Sequence, residues 1–161
     1  IDFETIIDYF SQIVVAFQIL NEKKIIHLDL RPSSIFIHDG HIKIGGFYSS
    51  TMENSPETIH YTEVLASPLY ASPELLCGKP LTQKTDVWSL GVILYGLLYQ
   101  KYPWQEKKIF KTKQEYLDNI DEGLTLMKLF PSSFFATSRK YPAEIEELIL
   151  SMLNEKGTER I

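Results

Sequence analysis

A mainly α fold carrying one small β-hairpin is what this chain predicts, on three patterns. Apolar residues Ile6, Phe10, Ile13, Val14, Phe17 and Leu20 recur at three- and four-residue steps, which puts one buried stripe on a helix of about five turns. A second run, Trp88, Leu90, Val92, Ile93, Leu94, Leu97 and Leu98, is apolar nearly all round, which places its helix in the middle of the core. Between them, Ile35-Phe36-Ile37 and Ile42-Lys43-Ile44 flank His38-Asp39-Gly40-His41. Asp-Gly between two β-prone runs signals a hairpin, because both turn residues tolerate positive φ.

Each element has its own punctuation. Asn21 and the Lys23-Lys24 pair suit the end of the first helix, where cations meet the negative pole of the macrodipole. From Tyr48 to Ser72 no period survives; the stretch is rich in Ser, Thr and Glu, with Pro56 and Pro68, and a loop of that length is usually functional or mobile. Thr85 or Asp86 is the expected cap of the core helix. Pro142 stands at an expected first turn, followed by Glu144, Glu146 and Glu147 at the favourable positive pole. Ile145, Leu148, Ile149, Met152 and Leu153 make the buried stripe of that last helix. Neither an internal repeat nor a low-complexity tract interrupts the pattern.

Composition bounds the function. A chain of 161 residues, 44% hydrophobic and 23% charged, is one domain or a large piece of one with a packed core. Its net charge of −5 argues against a general nucleic-acid binder. The longest uninterrupted apolar stretch, Leu90 to Tyr99, is too short to span a bilayer, so no membrane span is expected. The single cysteine, Cys77, excludes an internal disulfide, fits a reducing compartment such as the cytoplasm, and is expected to be a buried or neutral thiol. The chain begins at Ile1 and reads as a segment of something longer. No lysine or arginine lies between Lys43 and Lys79, while Lys101, Lys107, Lys108, Lys111 and Lys113 cluster with only Glu106 against them. Both runs suit a solvated surface; the lysines also suit a partner with an acidic face.

Four motifs stand in register around these elements. His27-Leu28-Asp29-Leu30-Arg31-Pro32-Ser33-Ser34 leads into the hairpin and Gly45-Gly46-Phe47-Tyr48 follows it. Ser67-Pro68-Leu69-Tyr70-Ala71-Ser72-Pro73-Glu74 and Asp86-Val87-Trp88-Ser89-Leu90-Gly91 come next. Their order and spacing resemble the C-terminal lobe of the eukaryotic protein kinases over essentially the whole chain, residues 1–161. The resemblance implies an activation segment at about residues 46–74. It also implies an N-terminal lobe upstream, holding the Gly-rich loop and phosphate-contacting lysine that decide whether ATP binds.

Within that resemblance, Asp29 matches the base that accepts the substrate hydroxyl proton, and Arg31 stands for the usual lysine. Leu28 replaces the arginine that orders a phosphorylated activation loop. Ser34 replaces the metal-binding Asn, Gly46 the metal-binding Asp, and Tyr48 the following Gly. Ser34 and Gly46 are therefore the two cofactor positions, and their loss puts magnesium binding in doubt. Phosphoryl transfer is mostly positioning and charge neutralisation, and a general base alone contributes only ~10²–10⁴-fold.

The architectural matches are better kept. Asp86 resembles the aspartate that holds the catalytic loop from below, Glu74 and Arg160 the pair that ties the activation segment to the last helices, and His27 a core histidine. His38, His41 and His60 lack partners at zinc spacing and suit surface positions, so no metal site is expected. Ser55, Thr58, Tyr61 and Thr62 are hydroxyls open to modification in a loop without basic residues. The reading is a pseudokinase acting through a protein partner as scaffold or allosteric module. Its alternative is an active Ser/Thr-type kinase with an atypical metal arrangement.

Overall fold

The computed structural model describes residues 1–53, 68–104, 112–129, 134–135 and 141–161. Among these residues the α-helices include α1 (Phe3–Glu22), α2 (Pro73–Cys77), α3 (Lys84–Tyr99), α4 (Lys113–Leu129) and α5 (Ala143–Met152). Its strands, β1 (Ile25–Ile26), β2 (Ile35–His38), β3 (His41–Ile44) and β4 (Thr51–Met52), form two antiparallel pairs, β1–β4 and β2–β3. The mainly α reading holds.

α3 is the axis of the core. Trp88, Leu90, Val92, Ile93, Leu94, Tyr95, Leu98 and Tyr99 are all buried on it, so its sides are covered in almost every direction. One wall is α5, with Ile149, Met152 and Leu153 buried. A Cβ placed on Gly91 would stand 2.9 Å from the Met152 Cβ and 3.0 Å from Leu153 Cδ2, so this crossing needs a residue without a side chain. Trp104 stacks on Trp88 with ring centroids 5.5 Å apart.

α1 buries Ile6, Phe10, Ile13, Phe17 and Leu20, the expected stripe except Val14, which is exposed. Asp2 caps it by accepting the Thr5 N–H at 2.8 Å. By length and composition alone α1 is apolar enough to cross a membrane. The uninterrupted-run criterion missed this because polar residues interrupt the helix once per turn. Here its stripe packs into the core cluster.

The hairpin has the expected register, Ile35 opposite Ile44 and His38 opposite His41, with Asp39 and Gly40 both at positive φ in the turn. The β1–β4 pair was not expected: Ile25 faces Met52 and Ile26 faces Thr51. Two residues per strand carry no readable alternation, so only the folded chain reveals the pairing.

Three expectations need correction. Thr85 and Asp86 lie inside α3, whose N-cap is Gln83; both side chains serve distant partners instead of the local N–H groups. Pro142 is the cap of α5 and not its first helical residue. Of the expected buried or neutral thiol, burial is overturned: Cys77 is exposed at the end of the short helix α2, whose buried residues are Leu75 and Leu76. Ser55, Glu57, Thr58, His60, Tyr61, Thr62, Glu63, Glu106, Lys107, Lys108 and Lys111 lie outside the described residues.

Candidate active site

The site is built where the loop His27–Ser34 meets Gly45–Phe47 over the start of α3. Its foundation is Asp86, fully buried, whose Oδ2 accepts the His27 N–H at 2.6 Å and whose Oδ1 accepts the Leu28 N–H at 2.9 Å. Burial pushes the Asp86 carboxyl up to about 7, against the two N–H donors that favour its charged form. Those bonds hold Leu28 at φ 66, a left-handed conformation that a leucine rarely adopts. The Leu28 side chain is buried in the core.

His27 joins the two loops. Its Nδ1 accepts the Asp29 N–H at 3.3 Å, so the proton sits on Nε2, which donates to the Gly45 carbonyl at 3.0 Å. Burial lowers its pKa and keeps the ring neutral. The ring lies 4.9 Å from that of Phe47, and the Ser50 hydroxyl donates to the His27 carbonyl at 3.1 Å. The expected core role of His27 is borne out. The Gly45 carbonyl and Ser50 hydroxyl had no signal in the sequence, since each acts through geometry across the hairpin.

Asp29 and Arg31 are brought together: the Arg31 Nε lies 3.2 Å from Asp29 Oδ1, with the Asp29 side chain 15% exposed and that of Arg31 39%. Ser34 and Gly46 also meet. Among the described residues, a Cβ on Gly46 would touch only Ser34 Cβ, at 3.5 Å. Gly46 is left-handed, at φ 80.

The Ser34 hydroxyl, however, is turned into its own loop. It accepts the Arg31 N–H at 3.0 Å and donates to the Arg31 carbonyl at 2.8 Å, closing the turn Pro32–Ser34 on itself. Ser34 is buried. Magnesium takes hard oxygen ligands in near-octahedral geometry. Here one position has no side chain and the other has its hydroxyl engaged on both sides. Neither fits that ion. Among the described residues no group of three or more His, Cys, Asp or Glu side chains could hold a metal.

Behind the site, Arg160 locks the frame. Its guanidinium bonds Glu74 at 2.6 and 3.1 Å, the Lys84 carbonyl at 2.6 Å and the Asn154 carbonyl at 2.9 Å. It also lies 5.2 Å from the Trp88 ring centroid. Thr85 donates to the same Glu74 carboxylate at 3.2 Å. The expected pair is present, and the Arg160 side chain is fully buried. Beside the loop lies a cavity of about 270 Å³, lined among others by Pro32, Tyr70, Gly96, Lys101 and Tyr102. The Tyr70 and Tyr102 hydroxyls meet there at 3.0 Å.

A family model described as the protein kinase domain matches residues 1–161. Serine/threonine-protein kinase Nek8 of Danio rerio is 33% identical over 162 aligned residues, covering 99% of this chain and 21% of that protein. Nek4 of Mus musculus, also named a serine/threonine-protein kinase, is 32% identical over 157 residues, 96% of this chain and 18% of its own length. ULK3 of Xenopus laevis, likewise so named, is 33% identical over 117 residues, 69% of this chain and 24% of its own. The chain spans about a fifth of the length of these curated relatives.

Proposed function

The chain belongs to the protein kinase domain family, and from that premise we propose that residues 1–161 are its C-terminal lobe, with an activation segment at about 46–74, and that phosphoryl transfer is impaired. The observation that carries this reading is the Ser34 hydroxyl, turned onto the Arg31 backbone beside a Gly46 that has no side chain. The architecture that positions a catalytic loop is kept, while the two positions that would hold magnesium offer it nothing. Such a protein acts by binding, as a scaffold or an allosteric partner, most plainly toward a protein segment in the cavity beside Pro32 and Tyr70. ATP remains the cofactor that the family implies, and a cytoplasmic setting fits the lone thiol.

One observation favours the alternative, an active Ser/Thr-type kinase: Asp29 is kept at the loop and oriented by Arg31. Comparing parent and Asp29→Asn for phosphate transfer to a peptide library separates the two. Equal, background-level transfer supports the impaired reading. Transfer that vanishes in Asp29→Asn establishes the active kinase.

A further inference from the structure

The mismatch between this site and magnesium has a consequence for what the site attracts. Among the described residues, the ionisable side chains on the two loops are His27, held neutral, and the Asp29–Arg31 pair, while the Asp86 carboxyl is buried beneath them and bonded to the His27 and Leu28 N–H groups. At Gly46 and Ser34, where the resemblance implies metal ligands, neither residue is acidic. A polyphosphate therefore meets no unpaired carboxylate here, which elsewhere is the reason a divalent cation must bridge protein and phosphates. Among the described residues the cationic group on the two loops is the Arg31 guanidinium, partly exposed and anchored by the Ser34 hydroxyl through its backbone. A guanidinium binds phosphate oxygens through a planar fork of donors. Magnesium chelated to the phosphates removes negative charge from the ligand and occupies oxygens that the fork would use.

Resting on the reading of lost metal ligands, we propose that this site takes a polyphosphate of the nucleoside triphosphate class without a divalent cation, and that magnesium weakens the binding. Arg31 supplies the positive charge. Gly46 supplies the absence of a repelling carboxylate next to Ser34.

The test titrates the full chain with ATP and with inorganic tripolyphosphate, in EDTA and in magnesium, following calorimetric heat and the Arg31 Nε–H resonance by NMR. Binding at least about threefold tighter in EDTA is expected, with a shift of that resonance. ATP binding above tripolyphosphate makes this a nucleotide site, and equal binding makes it an inorganic polyphosphate site; both support the shared chemistry. Arg31→Ala should abolish the EDTA binding, and Arg31→Lys, which keeps the charge without the fork, should retain part of it. Gly46→Asp should reverse the sign of the magnesium effect, whereas Gly46→Ala, with the same backbone strain and no charge, should not. Binding that requires magnesium, an Arg31→Ala variant that binds as the parent does, or no binding of either probe in either condition overturns the proposal and leaves the impaired reading standing. Magnesium-dependent transfer to a peptide would overturn both.

Discussion

The underside and the rim of the same loop have been treated differently. Underneath, the buried side chains that hold the loop and its frame are bonded: Asp86 takes the His27 and Leu28 N–H groups, His27 donates to the Gly45 carbonyl, and Arg160 bonds Glu74 and two carbonyls. At the rim, the Ser34 hydroxyl bonds the Arg31 backbone of its own turn and Gly46 offers no side chain. Buried polar groups must be satisfied for the fold to exist, whereas a position whose side chain is satisfied within its own turn, or that has no side chain, can change its chemistry without leaving a buried group unpaired. The proposed loss of phosphoryl transfer with retention of the fold would follow from that asymmetry.

The sharpest break in the comparison is made from below. Arg160→Met or Glu74→Gln leaves the other partner buried and unpaired, and a loss of about 3–5 kcal/mol is expected in urea unfolding. A variant as stable as the parent would show that the pair does not carry the frame. Next is Gly91→Ala, which drives a methyl into Met152 and Leu153; overpacking of about 1–3 kcal/mol is expected by the same measurement. At the rim, Arg31→Ala should cost no more than about 1 kcal/mol, because its ion pair is partly exposed. A rim variant as damaging as the Arg160 variant would erase the distinction.

Acid titration sharpens the comparison within the underside itself. The folded pKa of Asp86 is raised from 3.8 to about 7, so the folded state holds that proton more tightly and Asp86's contribution falls as pH rises through that window. His27 is lowered from 6.5, so its contribution is present above that value and is lost as pH falls below it. The two slopes oppose each other. In thermal melts across pH 4 to 7, relative to the parent, Asp86→Asn should steepen the loss of stability on acidification, and His27→Gln should tilt the profile toward lower stability at higher pH. Identical slopes in both variants would mean that neither group changes its protonation on unfolding.

What could be read beforehand and what could not divide along physical lines. The α1 stripe, the all-round apolarity of α3 and the Asp39-Gly40 turn are local, each written within one stretch of chain by periodicity or backbone tolerance, and the folded chain keeps all three. The motif order was enough to bring Asp29 beside Arg31, Ser34 beside Gly46 and Glu74 beside Arg160. It was not enough to orient them. Capping preference assigned Asp86 to the N–H groups of its own helix while the resemblance assigned it to the loop above, and packing decides for the loop: Asp86 accepts the His27 and Leu28 N–H groups, buried donors that water cannot reach. The β1–β4 pair and the exposure of Cys77 likewise depend on which surfaces meet. The direction of the Ser34 hydroxyl was equally invisible in the chain, because a serine offers the same donor and acceptor to solvent, metal or backbone. The closing of the turn Pro32–Ser34 decided among them: the Arg31 N–H and carbonyl stand three residues away across the turn, and a short side chain bonds what lies within its reach.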